Sequence, residues 1–128
     1  MIRPAAAAIL IGLLLSATAG AGPDAELVTL RLSSFAFAPD RLRLRTGMPV
    51  RLHLVNDSDG SHNFSAPTLF LLASTFPDAG PPPGGRIELA PRGSAELVFV
   101  PRSLGTYTFE CTHFLHAPFG MTGSIVVE

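Results

Sequence analysis

The sequence predicts an all-β domain, an antiparallel sandwich or barrel of seven or eight short strands, and three observations predict it. Apolar and polar residues alternate strictly in one segment after another, which is the period of half-buried strands. Clusters of turn formers separate these segments at a spacing of about ten residues. Gly and Pro number 12 each among 128 residues, which argues against a helix bundle because both disrupt helix interiors.

The chain opens on a different pattern. Arg3 is a short positive start, Ala5–Leu15 carries no polar side chain, and Ala17-Thr18-Ala19 and Ala19-Gly20-Ala21 have the small-x-small form of a cleavage site. The apolar run is far shorter than the roughly 20 residues a bilayer span needs. Residues 1–21 therefore read as a secretory signal peptide, residues 22–128 as one exported domain, and no integral membrane segment is expected after cleavage. A periplasmic or secreted location follows.

Within 22–128 the strands are justified one at a time. Val28, Leu30 and Leu32 alternate with Thr29 and Arg31. Leu42 and Leu44 alternate with Arg41, Arg43 and Arg45, which puts three guanidinium groups on one solvated face. Val50, Leu52 and Leu54 share a face opposite Arg51, His53 and Val55, and Asn56–Gly60 is a polar loop. His62–Ser65 reads as a short strand. Ala66–Gly85 is the one long connection: Leu69–Ala73 has the look of one or two helical turns, and Pro81-Pro82-Pro83 with the following glycines excludes regular structure. Ile87–Leu89, Ala95–Val100, Thr106–Cys111 and Met121–Val127 complete the set. Tyr107, Phe109 and Cys111 fall on one face, so the thiol should point inward.

Charge and cysteine content exclude several functions. The formal net charge is −1 and all nine cations are Arg; without a basic run, nothing favours nucleic acid. A single Cys rules out an internal disulfide framework and a thiolate-rich zinc site. In an oxidising compartment that thiol must be buried and inert, paired with another molecule, or bound to a metal.

The last of these is favoured by Cys111, His116 and Met121, which are separated by four residues each time on a loop between two strands, with His62 opening a strand after the polar loop. A thiolate, two imidazoles and a thioether suit copper, with two imidazoles and a thiolate in a trigonal plane and a weak axial thioether. Zinc gains little from a thioether, and magnesium and calcium want oxygen ligands. His53 lies on the polar side of its strand and reads as solvent-facing. His113 reads as a neighbour of the ligands rather than one of them.

These residues carry a resemblance. FAFAPDRLRLRTGMPVRLHLVN, SHNF and YTFECTHFLHAPFGMTGSIVV together resemble the cupredoxins, or type 1 blue copper proteins, whose members include azurin, plastocyanin, auracyanin and rusticyanin. The resemblance covers essentially all of 22–128, and the third segment is its most specific part. It implies a Greek-key β-sandwich and one-electron transfer by a mononuclear copper. Carried over residue by residue, it makes His62, Cys111 and His116 equatorial ligands and Met121 the axial one, and Asn63 the residue that ties the ligand loops together. Two departures stand out: Phe114-Leu115 replaces the Pro-Gly that many members carry before the second His, and His113 is extra.

The expected role is an exported electron carrier, monomeric and not an enzyme, that meets redox protein partners near His116 and Phe119. The alternative is a periplasmic copper-handling module that stores, delivers or senses the ion, and a metal-free interaction domain ranks behind both. Phe64, Phe114, Leu115 and Phe119 are expected to bury the site and favour its less charged reduced form. For Leu115, Ala117, Pro118 and Phe119 around His116 the alternatives are core packing and an exposed apolar patch through which electrons leave, and the resemblance favours the patch. The backbone amides of Asn63 and His113 are expected near the sulfur.

Overall fold

The computed structural model describes residues 25–128; the expected signal peptide, residues 1–21, lies outside them. Two five-stranded sheets face each other. The strands, in chain order, are β1 (Glu26–Ser33), β2 (Ala36–Ala38), β3 (Arg41–Leu44), β4 (Val50–Asn56), β5 (His62–Ser65), β6 (Ser74–Thr75), β7 (Arg86–Leu89), β8 (Ser94–Pro101), β9 (Gly105–Glu110) and β10 (Thr122–Val127). One sheet runs β2-β1-β4-β8-β6 and the other β3-β10-β9-β5-β7. From β3 to β9 successive strands lie in opposite sheets, the interleaved connectivity of a Greek-key sandwich.

All eight expected strands are present, and two short ones add to them. β2 has three residues and β6 has two, lengths over which alternation gives no readable period. The sheets are mixed rather than purely antiparallel. β1 runs parallel to β4, from Glu26 opposite Val50 to Leu32 opposite Asn56, and β10 runs parallel to β3. The helical turn expected near Leu69 is Thr68–Leu72, and it buries Leu69 and Phe70. The proline-rich stretch ends in a single tight turn at Pro83–Gly85; Gly84 is left-handed at φ +64°, so no regular helix runs through it, as expected. Among the described residues no helix is long and apolar enough to cross a membrane.

The core follows from the alternation. Leu30 and Leu32 of β1, Val50, Leu52 and Leu54 of β4, and Phe99 of β8 point inward from one sheet; Leu42, Leu44, Phe64, Phe109 and Ile125 meet them from the other. Aromatic rings fill the end nearest Cys111. Phe64 stacks on Phe109 at 4.9 Å, and Phe37 stands edge-on to Phe109 at 5.0 Å. Such pairs contribute beyond the area they bury. Gly123 lets β10 close on this cluster, because a Cβ there would run into the Phe109 ring and the Asp40 carbonyl.

Candidate metal centre

Two segments build the site from opposite directions. The first is β5, whose four residues are all buried. It is delivered by a loop organised around buried Asn56. The Asn56 amide donates to the carbonyls of Gly60 and Ala90, at 2.8 and 3.0 Å, and its oxygen accepts from the Ser58 N–H and hydroxyl. This Asx arrangement closes the polar loop on itself and sets where His62 begins.

The second segment is the loop from Cys111 to Met121, which joins β9 to β10. Its base is closed by the Cys111 N–H donating to the Met121 carbonyl at 3.1 Å, and Met121 N–H donates in turn to the His116 carbonyl at 3.0 Å. Successive turns hold the rest: His116 N–H donates to His113, Phe119 N–H to Leu115 and Gly120 N–H to Ala117. Leu115 adopts φ +63°, a left-handed conformation that costs a bulky residue about 1–2 kcal/mol. It stands where the family pattern noted above carries Gly.

These segments bring the expected ligands together. His62 Nδ1 lies 3.2 Å from His116 Nδ1, Cys111 Sγ lies 3.3 Å from His116 Nδ1, and Sγ lies 4.0 Å from His62 Nδ1. Cys111 and Met121 are fully buried, His62 nearly so and His116 about half. Donor atoms at these separations can be bridged by one ion with bonds of about 2.0–2.3 Å. His53 is half-buried on β4 and stands outside the cluster.

The donor chemistry fits copper. The cluster offers a buried thiol, two imidazoles converging through the same kind of nitrogen, and a buried thioether tied by backbone bonds to two of them. Soft sulfur donors with imidazole select copper among the common ions, and the thioether separates this set from an ordinary zinc site. Burial first, and then the charges of His116 and His113, hold His62 below the usual histidine range. Its imidazole is thus kept in the neutral form that a metal requires. Its Nε2 is buried and meets no partner among the described residues, which adds to the cost of the charged ring.

Around the donors, Asn63 does what the resemblance implied and more. Its backbone N–H points to Cys111 Sγ at 3.4 Å. Its side-chain oxygen accepts from the Thr112 N–H at 2.8 Å, and its amide donates to the Thr112 hydroxyl and to Glu88 Oε1, both at 2.7 Å. One residue therefore links β5, the ligand loop and β7. Among the described residues the N–H of His113, expected beside the sulfur as well, makes no such bond.

Two further neighbours were not found from the sequence. Glu88 of β7 faces His113 Nε2 at 2.9 Å; in the sequence it is an ordinary polar residue of an alternating strand. Phe35, in the turn between β1 and β2 at φ +64°, presents its ring edge-on to His116 at 5.1 Å. An unusual φ at a bulky residue next to a site is a local signal, but dihedrals are not visible in a sequence.

The expected burial of the site is corrected on one side. Phe64 is fully buried, but Phe114 is 87% exposed, Phe119 64% and Leu115 44%. The loop joins β9 to β10, and among the described residues the Phe35 ring packs against its outer face at His116 and Phe119. The site is sealed from the core side and rimmed by apolar side chains on the solvent side.

Residues 5–127 match the cupredoxin-like domain family, and the chain belongs to that family. Among solved structures it is similar to a dithionite-reduced auracyanin from the photosynthetic bacterium Roseiflexus castenholzii. The two share 22% identity over 81% of this chain and 98% of that one, with a TM-score of 0.63. It is also similar to auracyanin B, at 25% identity over 82% of this chain and 90% of that one, with a TM-score of 0.61. A search of curated protein sequences finds no match.

Proposed function

Since the chain is a cupredoxin, we propose that it is an exported mononuclear type 1 copper protein that carries single electrons. His62, Cys111, His116 and Met121 are the residues that would hold the copper. The observation that carries this reading is the convergence of two imidazole Nδ1 atoms and one thiol sulfur within 4.8 Å of one another, over a buried methionine. Bound there, copper supplies a reversible one-electron couple.

The residues of the chain do the rest. β5 fixes His62 from within the core, and Asn63 holds the thiolate and the loop in one arrangement, so the ligand positions need little rearrangement as the charge of the site changes. Phe64 and the aromatic core exclude water from the inner side, which favours the less charged state. On the outer side, His116 lies beneath an exposed apolar rim of Phe35, Phe114, Leu115 and Phe119, and electrons enter and leave here. Apolar patches of this kind mark docking surfaces, and the partner is a redox protein that meets the rim near His116 and Phe119. The signal-like residues 1–21 support a location outside the cytoplasm.

A second reading, copper storage, delivery or sensing, is favoured by one observation: His113 puts a third imidazole 5.4 Å from His116 and 6.5 Å from His62, ring centre to ring centre. Voltammetry of the copper-loaded protein separates the two. A carrier gives a reversible one-electron wave with fast exchange and keeps its metal against a chelator. A handling protein gives its metal up readily and exchanges electrons slowly, and that result would replace the carrier reading.

A further inference from the structure

The contacts between Glu88 and its neighbours form a bridge that neither the fold nor the ligand set requires. One carboxylate oxygen accepts from Asn63 at 2.7 Å; the other meets His113 Nε2 at 2.9 Å. Asn63 stands directly opposite Glu88 in the β5–β7 ladder. The carboxylate therefore spans from a buried strand to a residue two places beyond Cys111, inside the otherwise exposed part of the loop. The His113 ring lies within 5.4 Å of His116 and 6.5 Å of His62, nearly parallel to the latter.

We propose that Glu88 and His113 act as a clamp that holds the ligand loop against β5 and β7 and slows release of the metal. The inference rests on the copper reading for what is released, but the clamp itself is a property of the chain. Without it, residues 113–119 would be held by turns within the loop, by the Asn63–Thr112 contacts at its start and by the Phe35 ring against His116 and Phe119. With it, the first part of the loop is also anchored to β7 by a charge-assisted hydrogen bond, the stronger class of such bonds. The charge that assists this bond is the carboxylate's. Both residues are positioning residues, acting through the loop rather than on the metal.

The test uses the full chain with Glu88→Ala, His113→Ala, the double variant and Glu88→Gln. Two rates are read: hydrogen exchange of the amides of residues 113–119 in the metal-free protein, and transfer of copper(I) from the loaded protein to bathocuproine disulfonate. Each alanine variant should speed both by about tenfold, as expected for one partly exposed charge-assisted bond. The double variant should be no faster than the faster single one, since the two residues share one interaction. Glu88→Gln should fall between wild type and Glu88→Ala, because its amide can still accept from Asn63 and donate to His113 in the other tautomer but lacks the charge. Additive effects in the double variant, or rates unchanged in both alanine variants, would overturn the clamp. If wild type takes up no copper, the copper reading falls separately, and the exchange rates still decide the clamp.

Discussion

β5 and the loop from Cys111 to Met121 supply the two halves of one site under opposite conditions. β5 is buried at every residue and paired with β7 along its length. The loop exposes most of its side chains between two buried ends, Cys111 and Met121. His62 accordingly sits in a rigid, dry position, while His116 lies at the surface beneath apolar rings. Rigidity and access are conflicting requirements for a single residue. Here they are divided between two histidines whose Nδ1 atoms lie 3.2 Å apart.

Substitutions should show the same division, most strongly in β5. Phe64→Ala removes a fully buried ring that contacts Phe37, Phe70 and Phe109. It should cost about 3–5 kcal/mol in denaturant unfolding of the metal-free protein. A cost below 1 kcal/mol would mean that β5 is not the rigid half. Asn63→Ala leaves the Thr112 N–H without its acceptor and should cost about 2–3 kcal/mol by the same measurement. The loop should respond differently. Leu115→Gly relieves the left-handed strain, about 1–2 kcal/mol, against a glycine entropy cost of about 0.5–1 kcal/mol. Thermal unfolding should therefore show a small gain, and a clear loss would show that the Leu115 side chain packs more than its exposure implies.

The smallest stability effects belong to the rim and to Glu88. Phe119→Ser should change stability by no more than about 0.5 kcal/mol yet slow electron self-exchange of the loaded protein; an unchanged exchange rate would move the docking surface elsewhere. Burial raises the Glu88 pKa, but hydrogen bonds from Asn63 and His113 and the nearby positive charges outweigh it, so the carboxyl titrates below its ordinary value of 4.5. A depressed carboxyl pKa adds stability above the unfolded-state value, and that stability is lost as the pH falls through the folded-state value. Unfolding of the metal-free protein from pH 7 down to pH 3 should therefore show a loss that is smaller in Glu88→Gln.

Much of this was legible in the sequence because the relevant signals are local. Alternation located eight strands, and the spacing of Cys111, His116 and Met121 placed three donors on one loop. His62 came from its short segment after a polar turn, and Asn63 from the family resemblance. The parallel pairings of β1 with β4 and of β3 with β10 were not legible, because register between distant strands leaves no mark in either one. β2 and β6 are too short to show a period. Phe114 was expected to bury the site because it is apolar, but it is 87% exposed on the ligand loop, while the exposed patch implied at Leu115 and Phe119 is present. Glu88 lies 25 residues from His113, and only the β5–β7 ladder brings the two together.

The central claim is that Cys111 and its neighbours hold copper in a type 1 site. Titration of the protein with copper(II), followed by visible absorption and repeated on Cys111→Ser, tests it most directly. An intense thiolate-to-copper band that saturates at one equivalent and is absent in the variant is expected. A folded wild-type protein without that band, or a band that survives loss of the thiol, would contradict it.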